Sequence, residues 1–376
     1  MSPQITPIAD TAQDLELSER ILNPDGSRIA NPRLDPFVAD IDSAQLRSLL
    51  RDMVILRRID AEGVALQRQG QLGLWAPCQG QEATQIGTAR AIAPEDYVFP
   101  SYRETGVIYA RGAQPGDYVR MWRGEEGAAY DPAALGVAPL QIIIGAQTLH
   151  AVGYALGIQH DGAKEVAVTY FGDGATSQGD VNEAMIFAAS YQAPVVFVCQ
   201  NNHWAISVPV STQSRVPLVQ RSAGYGIPSV RVDGNDVLAS YAVSRTALDE
   251  ARAGKGPQAI EAVTYRLGAH TTSDDPTKYR GSDEEQYWAG RDPIVRMRAF
   301  LEGRGASAQL FADVEAEAAD AAEDLRARTV ELGPPSPDKM FDHVYSDPHP
   351  LIDQQKAWRA QYEASFEDAS LEGGAR

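Results

Sequence analysis

Two groups of polar residues near the middle of the chain have the types and the spacing of a metal and phosphate site. Gly172-Asp173-Gly174 is followed by 26 residues and then by Asn201-Asn202. Carboxylate and amide oxygens are hard ligands that suit Mg²⁺, and Mg²⁺ in turn binds the oxygens of a diphosphate. Glycines let backbone N–H groups approach phosphate oxygens, and a helix N-terminus behind them favours an anion. The pattern therefore predicts a site for Mg²⁺ and a ligand that carries a diphosphate.

The apolar segments around these residues predict where in a fold they lie. Residues 165–171 and 195–199 form two short, Val-containing runs that predict buried strands, and a helix is expected over 182–191. Asp173 would follow the end of the first strand, and Asn202 would follow the end of the second. The carboxyl ends of parallel strands face one crevice, so a right-handed crossover would bring both side chains to the same rim.

Two other interpretations of the glycine pair fit the sequence less well. A dinucleotide-binding fingerprint needs a third glycine where Ser177 stands, so that motif fails. A Gly-Asp-Gly triplet alone is also typical of a simple turn. The two strands that bracket it, and the Asn pair at this spacing, favour the ligand site over the turn.

The remaining segments extend the same alternation of strands and helices. Helices are expected from Ser43 and over 145–160 and 238–253, with strands over 229–232 and 259–265. This order predicts an α/β fold with a doubly wound parallel sheet and flanking helices. We expect an extended N-terminal arm over 1–42, an α/β domain over 43–335 with a charged helical region at 283–330, and a C-terminal tail over 336–376.

Composition restricts the partners and the compartment. The 376 residues carry 51 acidic and 33 basic side chains, a formal net charge of −18, which predicts repulsion from nucleic acid and from anionic membrane surfaces. No apolar run approaches the ~20 residues that span a bilayer. The first residues lack the apolar core of a signal peptide, so we expect a cytoplasmic protein. The two cysteines, Cys78 and Cys199, form no CxxC pair and fit a reducing compartment.

Beyond the Gly-Asp-Gly and Asn-Asn pattern, several segments occur in an order that resembles one family. They are IIIGAQ (142–147), FGDGATSQGDVNEA (171–184), QNNHWAIS (200–207), RVDGNDV (231–237) and RLGAHTTSDDPTKYR (266–280). Together they resemble the alpha subunit of branched-chain 2-oxo acid and pyruvate dehydrogenases. These enzymes are the decarboxylating first components of large complexes and depend on thiamine diphosphate and Mg²⁺. The resemblance covers roughly residues 45–360.

The resemblance implies roles for individual residues in binding the cofactor. Asp173, Asn202 and the backbone carbonyl of Trp204 would be the Mg²⁺ ligands. Trp204 stands where the family often has tyrosine, which a carbonyl ligand tolerates. The residues expected on thiamine diphosphate are Tyr102, Arg103, Ile142, Ile144, Gly172, Gly174, Ala175, Arg266 and His270. Gln200 departs from the arginine of many branched-chain members, so one contact to the diphosphate is expected to be weaker or absent.

His270 is the expected catalytic residue. By the resemblance, the matching histidine reaches the active site near the diphosphate and assists transfer of the acyl group to lipoamide. Without the resemblance, a histidine in a polar loop among acids is typical of a solvated surface residue. Thr271 stands where mitochondrial relatives carry a phosphorylated serine, and we do not expect it to be regulated in this chain.

The resemblance also implies partners. No glutamate suited to activating the aminopyrimidine ring is evident in this chain, and the family's beta subunit supplies one, so we expect an enzyme of two alpha and two beta subunits. The lipoyl domain and the subunit-binding domain of a dihydrolipoyl acyltransferase are the further expected partners.

The choice of 2-oxo acid stays open at this point. RVDGNDV and the segment MFDHVYSDPHPLIDQQKAW (340–358) are closer to branched-chain members, whereas IIIGAQ and QGQLGLWAP (69–77) resemble bacterial pyruvate members equally well. We therefore expect 3-methyl-2-oxobutanoate as the substrate, with pyruvate or acetoin as alternatives. A non-catalytic assembly or regulatory paralogue is the alternative of a different class, and the intact Asp173, Asn202, Arg103 and His270 argue against it.

Overall fold

The structure is a computed structural model that describes residues 18–124, 130–333 and 336–372. At its centre lies a parallel sheet of five strands in the order β1-β2-β3-β7-β6. A separate two-stranded hairpin, β4-β5, follows β3. The strands are β1 (Tyr97–Phe99), β2 (Ala167–Gly172), β3 (Val195–Asn201), β4 (Trp204–Ala205), β5 (Val208–Pro209), β6 (Ser229–Asp233) and β7 (Gln258–Val263).

Helices cover both faces of the sheet, and further helices form the part of the chain that follows β7. They are α1 (Ser43–Arg68), α2 (Glu82–Ala91), α3 (Thr105–Ala110), α4 (Pro115–Trp122), α5 (Pro132–Leu135), α6 (Ala146–His160), α7 (Gly179–Tyr191), α8 (Val210–Gln213), α9 (Leu218–Gly224), α10 (Val237–Arg252), α11 (Ser282–Ala289), α12 (Pro293–Gly303), α13 (Ala308–Glu331) and α14 (Pro350–Glu372). None of these described helices combines the length and the apolar character needed to cross a membrane.

Alternate residues of the central strands enter two separate apolar cores. In β2, Val168 and Tyr170 join the core that α1, α2 and α10 cover, whereas Ala167 and Phe171 join the core under α6 and α7. Successive side chains of a strand point to opposite faces, so a strand buried on both faces must be apolar throughout. This confirms the predicted doubly wound α/β sheet and explains why β2 lacks a polar face.

The strand ends lie where the sequence predicts them. β2 ends at Gly172 and pairs in parallel with β3, with Gly172 opposite Gln200. Asp173 and Asn202 therefore both leave the sheet at its carboxyl edge, next to each other in the strand order. Asp173 begins a short 3-10 helix, Asp173–Ser177, and the long crossover helix α7 starts after it at Gly179.

The described part of the N-terminal arm lies on this chain's own sheet. Glu19 pairs with Val232 at the edge strand β6, and the N–H groups of Ile21 and Leu22 donate to Asp236 Oδ2 at 2.7 and 2.6 Å. The first 17 residues of the predicted arm lie outside the described residues. The charged region predicted as helical at 283–330 contains α11, α12 and α13, and α13 packs along α1.

Candidate active site

A cleft opens at the carboxyl ends of β2 and β3. Its volume is about 420 Å³, the size of a small-molecule site. The loops after β1, β2 and β3 contribute most of the wall, and the loop before α6 closes one side. The lining residues are Gln81, Ser101, Tyr102, Arg103, Glu104, Ile144, Gly145, Gln147, Phe171, Gly172, Asp173, Gly174, Ala175, Ser177, Gln178, Gln200, Asn202, Trp204, Ala205, Ile206 and His270.

Asp173 is a buried carboxylate without a cationic partner. It is 1 % exposed, and its Oδ2 accepts a hydrogen bond from Gln213 Nε2 at 3.2 Å. Among the described residues it forms no ion pair. Burial raises the pKa of Asp173 to about 6, because the loss of hydration of the charged form outweighs the backbone hydrogen bonds, the Gln213 amide and the charge of Arg266, which all lower the pKa. A divalent cation would supply the missing positive charge.

Asn202 faces the same space with its carboxamide held in one orientation. Its Nδ2 donates to Gln81 Oε1 at 3.1 Å, which fixes the other end of the amide as the oxygen. That oxygen, Oδ1, accepts the N–H of Trp204 at 3.3 Å. An amide oxygen placed this way could serve as a second ligand to a cation beside Asp173.

The loop after Asn202 carries its backbone in an unusual conformation. His203 and Ile206 have φ values of +71° and +55°, in the left-handed region that residues other than glycine rarely adopt. Arg266 holds the loop from behind, since its guanidinium donates to the carbonyl of Trp204 at 3.2 Å and to that of Ile206 at 2.8 Å. The Trp204 carbonyl thereby lies in a fixed position at the cleft.

His270 is held against two guanidinium groups. Its Nδ1 lies 3.0 Å from Arg103 Nη2 and 3.3 Å from Arg266 Nη1, and its carbonyl also accepts from Arg103. Burial first, and then the charges of Arg103 and Arg266, lower the pKa of His270 to about 3, although Asp274 opposes this. The imidazole is therefore neutral, with Nδ1 as acceptor and its proton on Nε2.

Comparison with known proteins identifies the family. The dehydrogenase E1 component family matches residues 50–329, well over half of the chain. A 3-methyl-2-oxobutanoate dehydrogenase subunit alpha of Mycobacterium tuberculosis is 46% identical over 339 residues, covering 90% of this chain and 92% of the relative. A pyruvate dehydrogenase E1 component subunit alpha of Staphylococcus aureus is 43% identical over 298 residues, or 79% of each chain.

The chain belongs to the dehydrogenase E1 component family. This confirms the resemblance drawn from the motifs, including the alpha-subunit type and a thiamine-dependent 2-oxo acid dehydrogenase as the kind of enzyme.

Most of the residues predicted for the cofactor site line the cleft at the carboxyl ends of β2 and β3, called the E1 cleft from here on, and two do not. Ten of them are in the wall: Tyr102, Arg103, Ile144, Gly172, Asp173, Gly174, Ala175, Asn202, Trp204 and His270. Arg266 lies behind the wall, fully buried, where its donors reach Trp204, Ile206 and Tyr279. Ile142 lies outside the wall with half of its surface exposed. Its predicted contact with the cofactor stays a prediction.

Several residues of the E1 cleft carried no signal in the sequence. Gln81 and Glu104 are fully buried polar residues in its wall, and Gln147 also contributes a carboxamide. Gln81 is separated from its partner Asn202 by 121 positions. A glutamine just before a helix has no local pattern that distinguishes it from an ordinary polar residue, so only the three-dimensional pairing reveals it.

Proposed function

We propose that this chain is the alpha subunit of a 3-methyl-2-oxobutanoate dehydrogenase. With a beta subunit it would remove CO₂ from a branched-chain 2-oxo acid and pass the acyl group to lipoamide on a dihydrolipoyl acyltransferase. The observation that supports this substrate is the identity of 46% over 90% of the chain with the mycobacterial relative, against 43% over 79% with the staphylococcal pyruvate enzyme.

Mg²⁺ would bind at the carboxyl edge of the sheet. We assign Asp173, Asn202 Oδ1 and the carbonyl of Trp204 as its protein ligands. The support is the chemistry of this set, which has one uncompensated carboxylate and two neutral oxygens that are held in place. Among the residues described, no three His, Cys, Asp or Glu side chains converge on a metal site, so a cation here would depend on amide and carbonyl oxygens.

The diphosphate of the cofactor would lie beside this cation. Tyr102 and Arg103 would donate from one wall, and the backbone of Gly172, Gly174 and Ala175 would approach from the other. A glycine is needed at 174, because a Cβ there would come within 2.6 Å of the Ala205 side chain. Ile144 would support the organic part of the cofactor, while Arg266 would act through the Trp204 carbonyl.

Thiamine diphosphate, when bound, supplies the electron sink for decarboxylation. The chain's own contribution is to bind, orient and manage protons. Burial, together with the charges of Arg103 and Arg266, keeps the His270 imidazole neutral, and the two guanidinium groups fix its tautomer, so that Nε2–H is the donor it can present to the substrate. A donor there suits a group that develops negative charge during acyl transfer.

The carboxylate that activates the aminopyrimidine ring of the cofactor would come from a partner subunit. Among the described residues, the carboxylic acids in the wall of the cleft are Asp173, assigned to the cation, and Glu104, which is paired with Gln200. Neither is free to activate the aminopyrimidine ring. We therefore propose an assembly of two alpha and two beta subunits in which the beta subunit contributes that carboxylate, with the lipoyl and subunit-binding domains of the acyltransferase as further partners.

The test is a comparison of substrates on the assembled enzyme. The chain is co-expressed with the beta subunit, loaded with thiamine diphosphate and Mg²⁺, and assayed with an artificial electron acceptor. We expect kcat/KM for 3-methyl-2-oxobutanoate to exceed that for pyruvate by at least about tenfold, the discrimination that additional methyl groups in an apolar pocket provide. A preference for pyruvate would change the assigned substrate to pyruvate and would leave the proposed site residues unchanged. Activity with neither acid would point to acetoin or to a non-catalytic paralogue.

A further inference from the structure

Glu261 is a buried acidic residue in the middle of strand β7. It is 2 % exposed and lies opposite Cys199 of β3. The residues around it on the strand are apolar, with Ile260 and Ala262 in one core and Ala259 in the other. Burying a carboxylate costs free energy unless hydrogen bonds and a positive charge compensate it. Packing alone therefore does not account for a glutamate at this position.

One oxygen of Glu261 holds the loop that follows β3. Oε1 accepts from Asn201 Nδ2 at 2.7 Å and from Arg231 Nη2 at 3.4 Å. Because Asn201 donates through Nδ2, the other end of its amide is the oxygen, and this Oδ1 accepts the N–H of His203 at 3.2 Å. That hydrogen bond closes a turn around Asn202, in which His203 has its positive φ of +71°. Glu261 thus fixes the orientation of the amide that holds this turn.

The other oxygen of Glu261 holds helix α9, which has no side-chain cap of its own. Oε2 accepts the N–H of Val219 in the first turn of that helix at 2.8 Å. Arg221 of α9 donates to the carbonyl and to the hydroxyl oxygen of Thr176, at 3.1 and 2.7 Å. The Thr176 hydroxyl in turn donates to the carbonyl of Asp173 at 2.7 Å. Glu261 is therefore connected through α9 to the 3-10 helix that begins at Asp173.

The two oxygens of one carboxylate thus reach both segments that carry the proposed Mg²⁺ ligands. Glu261 itself is not among the described residues in the wall of the E1 cleft. We propose that Glu261 is a positioning residue for Mg²⁺, which sets the distance between the Asp173 segment and the loop that contains Asn202 and Trp204. The inference rests on the proposed function, since it requires Mg²⁺ at these ligands. Mg²⁺ demands near-ideal octahedral geometry, so a small shift of one segment against the other weakens its binding.

Glu261→Gln tests the connection to α9 with little change in the shape of the side chain. The new carbonyl oxygen should face Asn201 and Arg231, because an NH₂ group there would meet two donors. The NH₂ group then faces the N–H of Val219, and the hydrogen bond that holds α9 is lost. We expect the Mg²⁺ concentration for half-maximal cofactor binding to rise roughly 10–100-fold, the usual effect of losing a residue that orients a metal ligand.

Equilibrium dialysis of the alpha–beta enzyme measures this effect. Bound thiamine diphosphate is followed at a fixed cofactor concentration while Mg²⁺, or Ca²⁺ in a parallel series, is varied. Ca²⁺ accepts flexible coordination, so its half-saturating concentration should rise less than that of Mg²⁺, and the preference for Mg²⁺ should fall. A loss of folded protein would reduce the number of binding sites without changing this preference. The two series therefore separate a positioning role from a role in stability.

Asp236→Asn is the matched control. Asp236 is also a fully buried carboxyl that accepts N–H groups at the start of a helix, in this case from Leu238 and Ala239 of α10. Its other oxygen holds the N-terminal arm, and not a loop of the cleft. The control variant should have a lower melting temperature in circular dichroism and the same half-saturating Mg²⁺ concentration as the wild type.

Arg221→Met breaks the same connection one step nearer to Asp173 and leaves Glu261 in place. It should also raise the half-saturating Mg²⁺ concentration, and adding it to Glu261→Gln should have little further effect, because both act through α9. If Glu261→Gln does not fold, Arg221→Met takes its place in the test. A folded variant that needs no more Mg²⁺ than the wild type would overturn the inference. Cofactor binding by the wild type that does not depend on Mg²⁺ would instead remove the proposed metal site on which the inference rests.

Discussion

At the scale of single residues, the site contains buried polar groups whose charge is not neutralised by a partner within the described part of the chain. The carboxylate of Asp173 is 1 % exposed and forms no ion pair among the described residues, although Gln213 donates a hydrogen bond to it, and burial raises its pKa to about 6. Leaving a carboxylate in that state costs stability, so the arrangement is useful only if a cation completes it.

Asp173→Ala should therefore abolish Mg²⁺-dependent binding of thiamine diphosphate by the alpha–beta enzyme. The variant should fold at least as stably as the cation-free wild type, because it removes an uncompensated buried charge. Fluorescence or calorimetric titration with and without Mg²⁺ measures the first effect, and urea unfolding measures the second. Cofactor affinity that is unchanged and still depends on Mg²⁺ would exclude Asp173 as the metal ligand.

His270 gives the second prediction at this scale. His270→Ala removes the Nε2–H donor but leaves the carbonyl that Arg103 contacts. We expect the rate of lipoamide acylation to fall by roughly 10²–10⁴, the usual effect of losing a proton-transfer or positioning group. Decarboxylation measured with an artificial acceptor should fall less. An acylation rate equal to that of the wild type would make the histidine a bystander.

At the scale of elements, one helix residue organises a whole loop of the site. Asp60 on α1 accepts from Trp75 Nε1 at 2.8 Å and from the N–H groups of Cys78 and Gln79 at 3.1 and 3.0 Å. The loop so held offers the Pro77 carbonyl to Arg103 and places Gln81 beside Asn202. Asp60 thus acts on the cleft through the loop, without lining it.

Asp60→Asn should weaken cofactor binding as well as the fold. The new NH₂ group would face N–H donors where the carboxylate accepted them, which costs about 1–3 kcal/mol. Calorimetry should show an affinity for thiamine diphosphate that is reduced at temperatures where circular dichroism reports a folded chain. Asp52→Asn on the same helix is the control, since it should lower stability and leave the affinity in place. Equal cofactor affinity in both variants would confine Asp60 to a role in stability.

The elements also show how much of the fold and of the site can be predicted from the sequence alone. The strands that end at Gly172 and Asn201 could be predicted because they are apolar on both faces and end at polar motifs. The three-residue strand β1 could not be predicted, because Tyr97–Phe99 is too short to show a hydrophobic periodicity and depends on pairing with β2. The same limit applies to Gln81 and Glu104, whose hydrogen-bond partners in the cleft wall lie about 100 or more positions away in the sequence.

At the scale of the whole molecule, the C-terminal helix α14 is the element least explained by this chain alone. One of its faces carries the exposed apolar side chains of Leu351, Trp358, Tyr362 and Phe366 at helical spacing. Trp358 stacks on Tyr362, which meets the edge of Phe366. The helix packs against the 3-10 helix Pro337–Phe341 of the same tail, and the apolar stripe itself is exposed to solvent. A patch of this kind is typical of an interface.

We expect the apolar stripe of α14 to contribute to assembly with the beta subunit. Replacing Trp358 and Tyr362 together by serine should raise the dissociation constant of the alpha–beta enzyme by at least about tenfold, because large aromatic side chains dominate such interfaces. Analytical ultracentrifugation measures the assembly, and circular dichroism checks that the alpha subunit stays folded. Ala364→Ser, on the opposite face of the same helix, should leave assembly unchanged. If the aromatic variant assembles as tightly as the wild type, the stripe serves another partner, and the lipoyl-bearing acyltransferase becomes the next one to measure.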